Sequence, residues 1–292
     1  MAAWVAVLTC MPAVAQRFPI IRIPGSPKNV RVLFQDSRGR LWLGGDQLAC
    51  FDGVRFFFLS DYGFPAVTSY SLAEDEAGAI WVGAESGVYR FDRHVEQIAS
   101  GVATSVIAVK PDLVLAALGP PGHGIPESAS LVRIERIQKG WTTETLLSLG
   151  SPGPLTVDHS GILLYPAGAG WSELSLQDAV GWQPGSSLSV KAQVVGNPRT
   201  PGAGDRKVLR DRLGCVWLGS EEEIVYSCDG ATWRDSGLAG LRAQISETPD
   251  GAVLLSGYGV VAVGRPGSFR VAEPRNGLPL VLTAIAARDG TV

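Results

Sequence analysis

The chain of 292 residues is 46% hydrophobic, 18% charged and 8% aromatic, with a formal net charge of −3 at pH 7. These values exclude a disordered or collagen-like chain and a strongly basic nucleic-acid binder. Its 36 glycines and 19 prolines, well above the roughly 12% that these two residues make of an average chain, predict many turns between short elements and hence an all-β fold.

Residues 2–15, Ala-Ala-Trp-Val-Ala-Val-Leu-Thr-Cys-Met-Pro-Ala-Val-Ala, carry no charge and end in the small-x-small pattern Ala13-Val14-Ala15 before Gln16. Although the segment lacks the usual basic start, the pattern predicts a signal peptide at 1–15 and an exported mature chain, periplasmic or extracellular, from residue 16. The alternative is an ordinary apolar edge strand. Thr9 before Cys10 makes a poor lipoprotein site, and no stretch reaches the roughly 20 apolar residues of a membrane span.

Downstream, one pattern recurs: Asp36-Ser-Arg-Gly39-Arg-Leu-Trp42-Leu-Gly44, Asp75-Glu-Ala-Gly78-Ala-Ile-Trp81-Val-Gly83 and Asp211-Arg-Leu-Gly214-Cys-Val-Trp217-Leu-Gly219. Weaker copies read Asp158-His-Ser-Gly161, Pro249-Asp250-Gly251 and Arg288-Asp289-Gly290, and Lys110-Pro-Asp112 has lost its glycine. From Gly39 to Gly290 the spacing averages about 42 residues, the length of a four-stranded propeller blade. In the first unit Val30–Gln35, Leu41–Leu43, Leu48–Phe51 and Phe56–Leu59 read as strands A to D, and in the second Ser69–Ala73, Ile80–Val82, Val88–Phe91 and Val95–Ile98. The expected fold is an all-β propeller of about seven four-stranded blades, near 29–60, 67–98, 103–142, 151–191, 206–235, 241–272 and a truncated 279–292. Phe18–Ile23 is a candidate outer strand for the last blade.

The motif has a structural rationale. Gly39, Gly78 and Gly214 supply the permissive backbone of a tight A–B turn, and the Asp three residues earlier accepts N–H bonds inside it. The Trp on strand B fills the wedge between blades. In the fifth unit, a four-residue loop at 220–223 sets Gly219 opposite Ile224 and Cys215 opposite Cys228, within disulfide range; two reduced core thiols are the alternative. Cys50 is left over and is expected to be buried.

The repeat resembles the two-component regulator propeller family, whose blades read approximately D-x-x-G-x-φ-W-φ-G-T followed by G-φ-x-φ-φ-D. Gly87-Val-Tyr-Arg-Phe-Asp92 supplies the second half, while Tyr62-Gly63-Phe64-Pro65 and Asn276-Gly277-Leu278-Pro279 resemble the connector between blades. The resemblance covers roughly 17–292; the family's Thr is replaced by Gly45, Ala84 and Ser220. It implies an exported sensor region of a membrane receptor whose histidine kinase, diguanylate cyclase or regulator output is absent from these residues. The stop at Val292, midway through a repeat, reads as a fragment or truncated frame, and the membrane enters only through a missing C-terminal region.

The D–A and B–C loops of a propeller share one face, where binding usually resides. On this sequence they carry Asp46, Gln47, Tyr62, Glu85, His123, Arg199, Glu221, Glu222, Tyr258 and Arg275. Asp158-His159-Ser160 does not make a triad, because neighbours on one turn diverge. Gly119–Gly124 holds too much proline for a phosphate loop, and Glu221–Glu223 reads as a solvated tip rather than a calcium site. The sequence therefore predicts a non-catalytic sensing module with no metal and no cofactor, and with no nucleic-acid partner. Its partner would be a small-molecule or carbohydrate ligand or an envelope protein, with a homodimer in the receptor. The alternatives are a propeller enzyme of lyase or glycan-active type and a periplasmic interaction scaffold.

Overall fold

The structure, a computed structural model, describes residues 24–150, 152–168, 170–194, 207–219, 223–237, 244–257 and 260–272. These residues form six antiparallel four-stranded sheets, each paired in the order A-B-C-D along the chain. Blade one holds Val30–Gln35, Leu41–Gly45, Ala49–Phe51 and Phe56–Phe58, and blade two Ser69–Glu74, Ile80–Ala84, Gly87–Phe91 and Val95–Ser100. Blade three holds Val102–Lys110, Leu113–Gly119, Ser130–Ile137 and Gly140–Ser148, and blade four Thr156–Val157, Ile162–Ala167, Gly170–Ser175 and Val190–Val194. Blade five holds Lys207–Arg210, Val216–Gly219, Ile224–Ser227 and Arg234–Asp235, and blade six Gln244–Glu247, Val253–Gly257, Val260–Arg265 and Ser268–Ala272. Among the described residues the count is thus six blades, one fewer than expected. The expected seventh at 279–292, the strand Phe18–Ile23 and the signal peptide at 1–15 lie outside the described residues.

Side chains alternate across each strand, so every blade offers one face to each neighbour, and the core lies between blades rather than within them. Trp42 and Leu48 of blade one pack with Ile80, Val82 and Tyr89 of blade two, while Trp81 and Val88 of blade two pack with Val106, Val114 and Ile134 of blade three. Leu115 and Leu131 meet Leu163 and Leu174 of blade four, Leu164 and Trp171 meet Val216 and Val225 of blade five, and Trp217 and Tyr226 meet Val253 and Leu255 of blade six. Each A strand also touches the A strand of its neighbour in blades one to three and four to six, so the A strands form the inner wall.

The repeated motif proves to be a buried staple. The Asp75 carboxylate accepts the Ala77 and Ala79 backbone N–H groups, both at 3.0 Å, and the Trp81 indole Nε1–H at 2.9 Å. Asp36 does the same for Arg38, Arg40 and Trp42, and Asp211 for Leu213, Cys215 and Trp217. One acid therefore closes the A–B turn and fixes the ring that enters the next interface. All three tryptophans are essentially fully buried, and truncating one would cost about 3–5 kcal/mol.

The degenerate copies replace parts of this staple. In blade four Leu164 stands where the indole would be, and Arg210 of blade five reaches back to Asp158 at 2.9 Å. In blade six Thr248 stands in place of the turn acid and its hydroxyl accepts the Ala252 N–H at 2.9 Å; Asp250, named in the weak copy, instead accepts from that hydroxyl. Blade three abandons the turn: Lys110 pairs directly with Leu113 around Pro111-Asp112, and Trp141 of strand D meets Trp81 edge-on at 5.4 Å. A short helix, Leu176–Val180, interrupts blade four, with Ser175 as its N-cap accepting from Asp178 N at 3.3 Å.

Gly219 pairs with Ile224 in blade five, and the structure joins Cys215 to Cys228 in a disulfide with Cα atoms 4.0 Å apart. Cys50 is a buried free thiol, raised to about 11 by its burial.

Candidate functional site

The two faces of the propeller treat their charges differently. On the A–B face, acids at the ends of A strands are tied to the preceding blade. Glu74 accepts the Ser37 N–H and hydroxyl, both at 2.6 Å, and Glu247 accepts the Arg212 N–H at 2.8 Å with the Arg212 guanidinium 3.5 Å away. These groups hold blades together and leave little chemistry to spare.

The B–C and D–A face is built otherwise, because the A strands of blades one to three each start with a β-bulge. Blade one pairs Val30 with Gly45 and Val32 with Gly44, leaving Arg31 as the extra residue. Blade two pairs Ser69 with Ala84 and Ser71 with Gly83, leaving Tyr70; blade three pairs Ala103 with Leu118 and Ser105 with Ala117, leaving Thr104. A bulge unpairs one residue and re-aims its side chain, a device common beside binding sites. Three equivalent positions of the inner wall are therefore released from the ladder at one rim. The Thr104 hydroxyl is enclosed there without a hydrogen-bond partner.

Charges gather around the middle bulge. Burial pushes the Tyr70 phenol above its usual pKa; the Glu85 carboxylate adds to this, Arg31 opposes it, and Asp46 adds again. Asp46 Oδ2 accepts from the Asn29 carboxamide at 2.6 Å. Glu85 Oε1 accepts the Gly124 N–H of blade three at 2.8 Å, with His123 Nδ1 at 3.6 Å. Among the described residues, the second oxygen of each carboxylate has no protein partner and the exposed Arg31 forms no ion pair. The arrangement offers a guanidinium, two half-used carboxylates and a phenol at the junction of three blades.

The sequence placed Asp46, Glu85 and His123 on this rim, and the structure brings Glu85 and His123 together. Gln47 is exposed beside Asp46. Tyr62 follows strand D in a 3-10 turn and sets its ring edge-on to Phe91 of blade two at 5.9 Å, apart from the charged group. Arg199, Glu221, Glu222, Tyr258 and Arg275 lie outside the described residues. Arg31 and Tyr70 went unread because a bulge leaves no mark in hydrophobic alternation; the glycine pair Gly44-Gly45 opposite the first bulge was the available signal. Among the described residues no group of His, Cys, Asp and Glu is arranged to hold a metal ion.

Residues 24–47 match the family model described as two component regulator propeller, so the family resemblance of the repeat is found independently in blade one. No curated protein sequence matches the chain. Among solved structures, a domain described as the extracellular domain of a hybrid two component system, BT4673 from B. thetaiotaomicron, aligns at a TM-score of 0.65 and 13% identity, over 92% of this chain and 37% of that one. The corresponding domain of BT3049 from the same organism aligns at 0.59 and 16%, over 89% and 36%. Virginiamycin B lyase from Staphylococcus aureus aligns at 0.64 and 9%, over 88% of both chains. These likenesses show the propeller fold, and the chain spans little more than a third of each extracellular domain.

Proposed function

We propose that this chain is the exported, ligand-sensing propeller of a two-component-type signalling receptor, non-catalytic itself and coupled to an output region outside these residues. The observation that carries the reading is the rim of Arg31, Asp46, Tyr70, Glu85 and His123, where three blades bring together a guanidinium and two carboxylates that form no ion pair with one another among the described residues, while Glu74 and Glu247 of the opposite face are bonded between blades. The family match in blade one and the fold of the extracellular domains support it. A disulfide fits an oxidising compartment. The same reading assigns 1–15 to a signal peptide, 279–292 to a seventh blade, and a homodimer to the receptor. No helix of the described residues is long and apolar enough to cross a membrane.

The test is a thermal-shift screen of the purified chain against small polar molecules, repeated on Tyr70→Phe. A ligand that raises the melting temperature of the parent but not of the variant supports sensing at this rim. Stabilisation by no small molecule, with capture of an envelope protein instead, would transfer the chain to the scaffold class. The overlap with virginiamycin B lyase along nearly the whole of both chains favours a second reading, a lyase-type or glycan-active enzyme. Turnover of virginiamycin B or a glycan that is lost on His123→Ala would establish that reading in place of the first.

A further inference from the structure

Resting on the ligand-sensing reading, we propose that the rim of blades one and two binds a small zwitterion of the amino-acid class, with Arg31 taking its carboxylate and Asp46 and Glu85 its ammonium group. Elsewhere in the molecule, arginines near carboxylates neutralise them: Arg40 on Asp36, Arg133 on Glu135 and Glu144, Arg210 on Asp158. At the rim, the Val30–Gly45 rung of blade one stands beside Arg31 and Asp46, and the Ser69–Ala84 rung of blade two beside Tyr70 and Glu85, yet among the described residues Arg31 forms no ion pair with either acid.

The local backbone keeps them apart. Asn29, immediately before the first A strand, has φ 53°, a left-handed conformation that asparagine tolerates better than most residues. Its carboxamide holds Asp46 at 2.6 Å. Gly45 makes this approach feasible, since a Cβ there would stand 2.1 Å from the Asn29 carbonyl oxygen. The bulge then sends Arg31 away from the ladder one strand position later. Glu85 is held separately by the Gly124 N–H across the blade boundary.

Separated opposite charges select among ligand classes. An anion would meet two carboxylates and a simple cation would meet the guanidinium, whereas a neutral polyol would leave the charges unanswered. A zwitterion answers both signs. The planar guanidinium fork matches a carboxylate in bidentate fashion. The free oxygens of Asp46 and Glu85 accept from an ammonium group, and the Tyr70 ring adds a face attractive to a cation.

The experiment is isothermal titration calorimetry of the full chain with the common L-amino acids, with N-acetyl and amide derivatives of any that bind, and with maltose and cellobiose. The expected result is binding of at least one free amino acid, weakened at least tenfold by blocking either charge. Arg31→Gln and Glu85→Gln should each weaken it similarly, while Lys139→Gln, in the far turn of blade three, leaves it unchanged; circular dichroism verifies that each variant folds. Equal binding of free and charge-blocked amino acids would overturn the proposal. So would disaccharide binding that Tyr70→Phe abolishes, although that outcome would keep the sensing reading. Binding of none of these probes by the folded chain would overturn the zwitterion assignment, and the thermal-shift screen would then decide the broader reading separately.

Discussion

Asp75→Asn is the most informative single change in the scaffold. The carboxylate takes two backbone N–H groups at 3.0 Å and the Trp81 indole N–H at 2.9 Å, and the Ala79 and Trp81 bonds are buried. An asparagine keeps one oxygen for the amides but turns an NH2 group toward the indole, so two donors face each other. Bonds to charged acceptors contribute about 1.5–3 kcal/mol and an orphaned buried donor costs about 1–3, which places Asp75→Asn at about 2–4 kcal/mol of destabilisation. Trp81→Phe removes the facing donor together with part of the ring and should cost about 2–3 kcal/mol alone. In the double variant the donor clash is gone, so its loss should fall short of the sum by about 1–2 kcal/mol. Urea unfolding at pH 7 followed by far-UV circular dichroism reads all four proteins without depending on the fluorescence of the substituted ring. Additivity within about 0.5 kcal/mol would refute the staple as the link between turn and interface.

Burial opposes ionisation of Asp36, but the Trp42 indole and the backbone and guanidinium of Arg40 outweigh it and hold the carboxyl below its usual range. Its contribution to stability is thus present above the unfolded value of about 4 and lost as pH falls through the lower folded value. The stability gap between the parent and Asp36→Asn should shrink on acidification below that value; a gap constant down to pH 2 would contradict the assignment. Gly45→Ala would place a Cβ 2.1 Å from the Asn29 carbonyl oxygen, and urea unfolding should show a loss of about 1–3 kcal/mol; an unchanged midpoint would deny the close approach. Because burial lifts the Cys50 thiol to about 11, iodoacetamide at pH 8 should leave it unlabelled in folded Cys10→Ser protein and label it on denaturation; stoichiometric labelling of the native chain would place that thiol at the surface.

The blades were legible wherever turn and ring lie in one stretch of chain. Strand A of blade one, Val30–Gln35, was read to the residue, and strands B to D of blades one and two within two residues. Legibility ended where one blade completes another. Nothing near Asp158 announces that Arg210, 52 positions later, takes over from a missing indole, and nothing near Glu85 announces the Gly124 N–H. Thr248 escaped because Asp250 beside it looks more like the turn acid, although the hydroxyl at 248 is the group in register. The site was half visible for the same reason. Its loop acids stand out as polar residues between strands, whereas Arg31 and Tyr70 sit inside strands and are released only by a pairing irregularity.

The staple also bears on how such a chain changes over generations. Its bonds are all made inside one blade, while the ring it orients is the part that meets the next blade. A duplicated or deleted unit therefore carries its Asp–Trp chemistry intact and needs from its neighbour a slot of roughly the right volume and an acid such as Glu74 or Glu247 at the turn. Slots of that kind accept many residue combinations, so most of the chain is free to drift while a few positions per unit hold the architecture. Identities of 9 to 16% alongside TM-scores of 0.59 to 0.65 show one propeller fold carried by very different sequences.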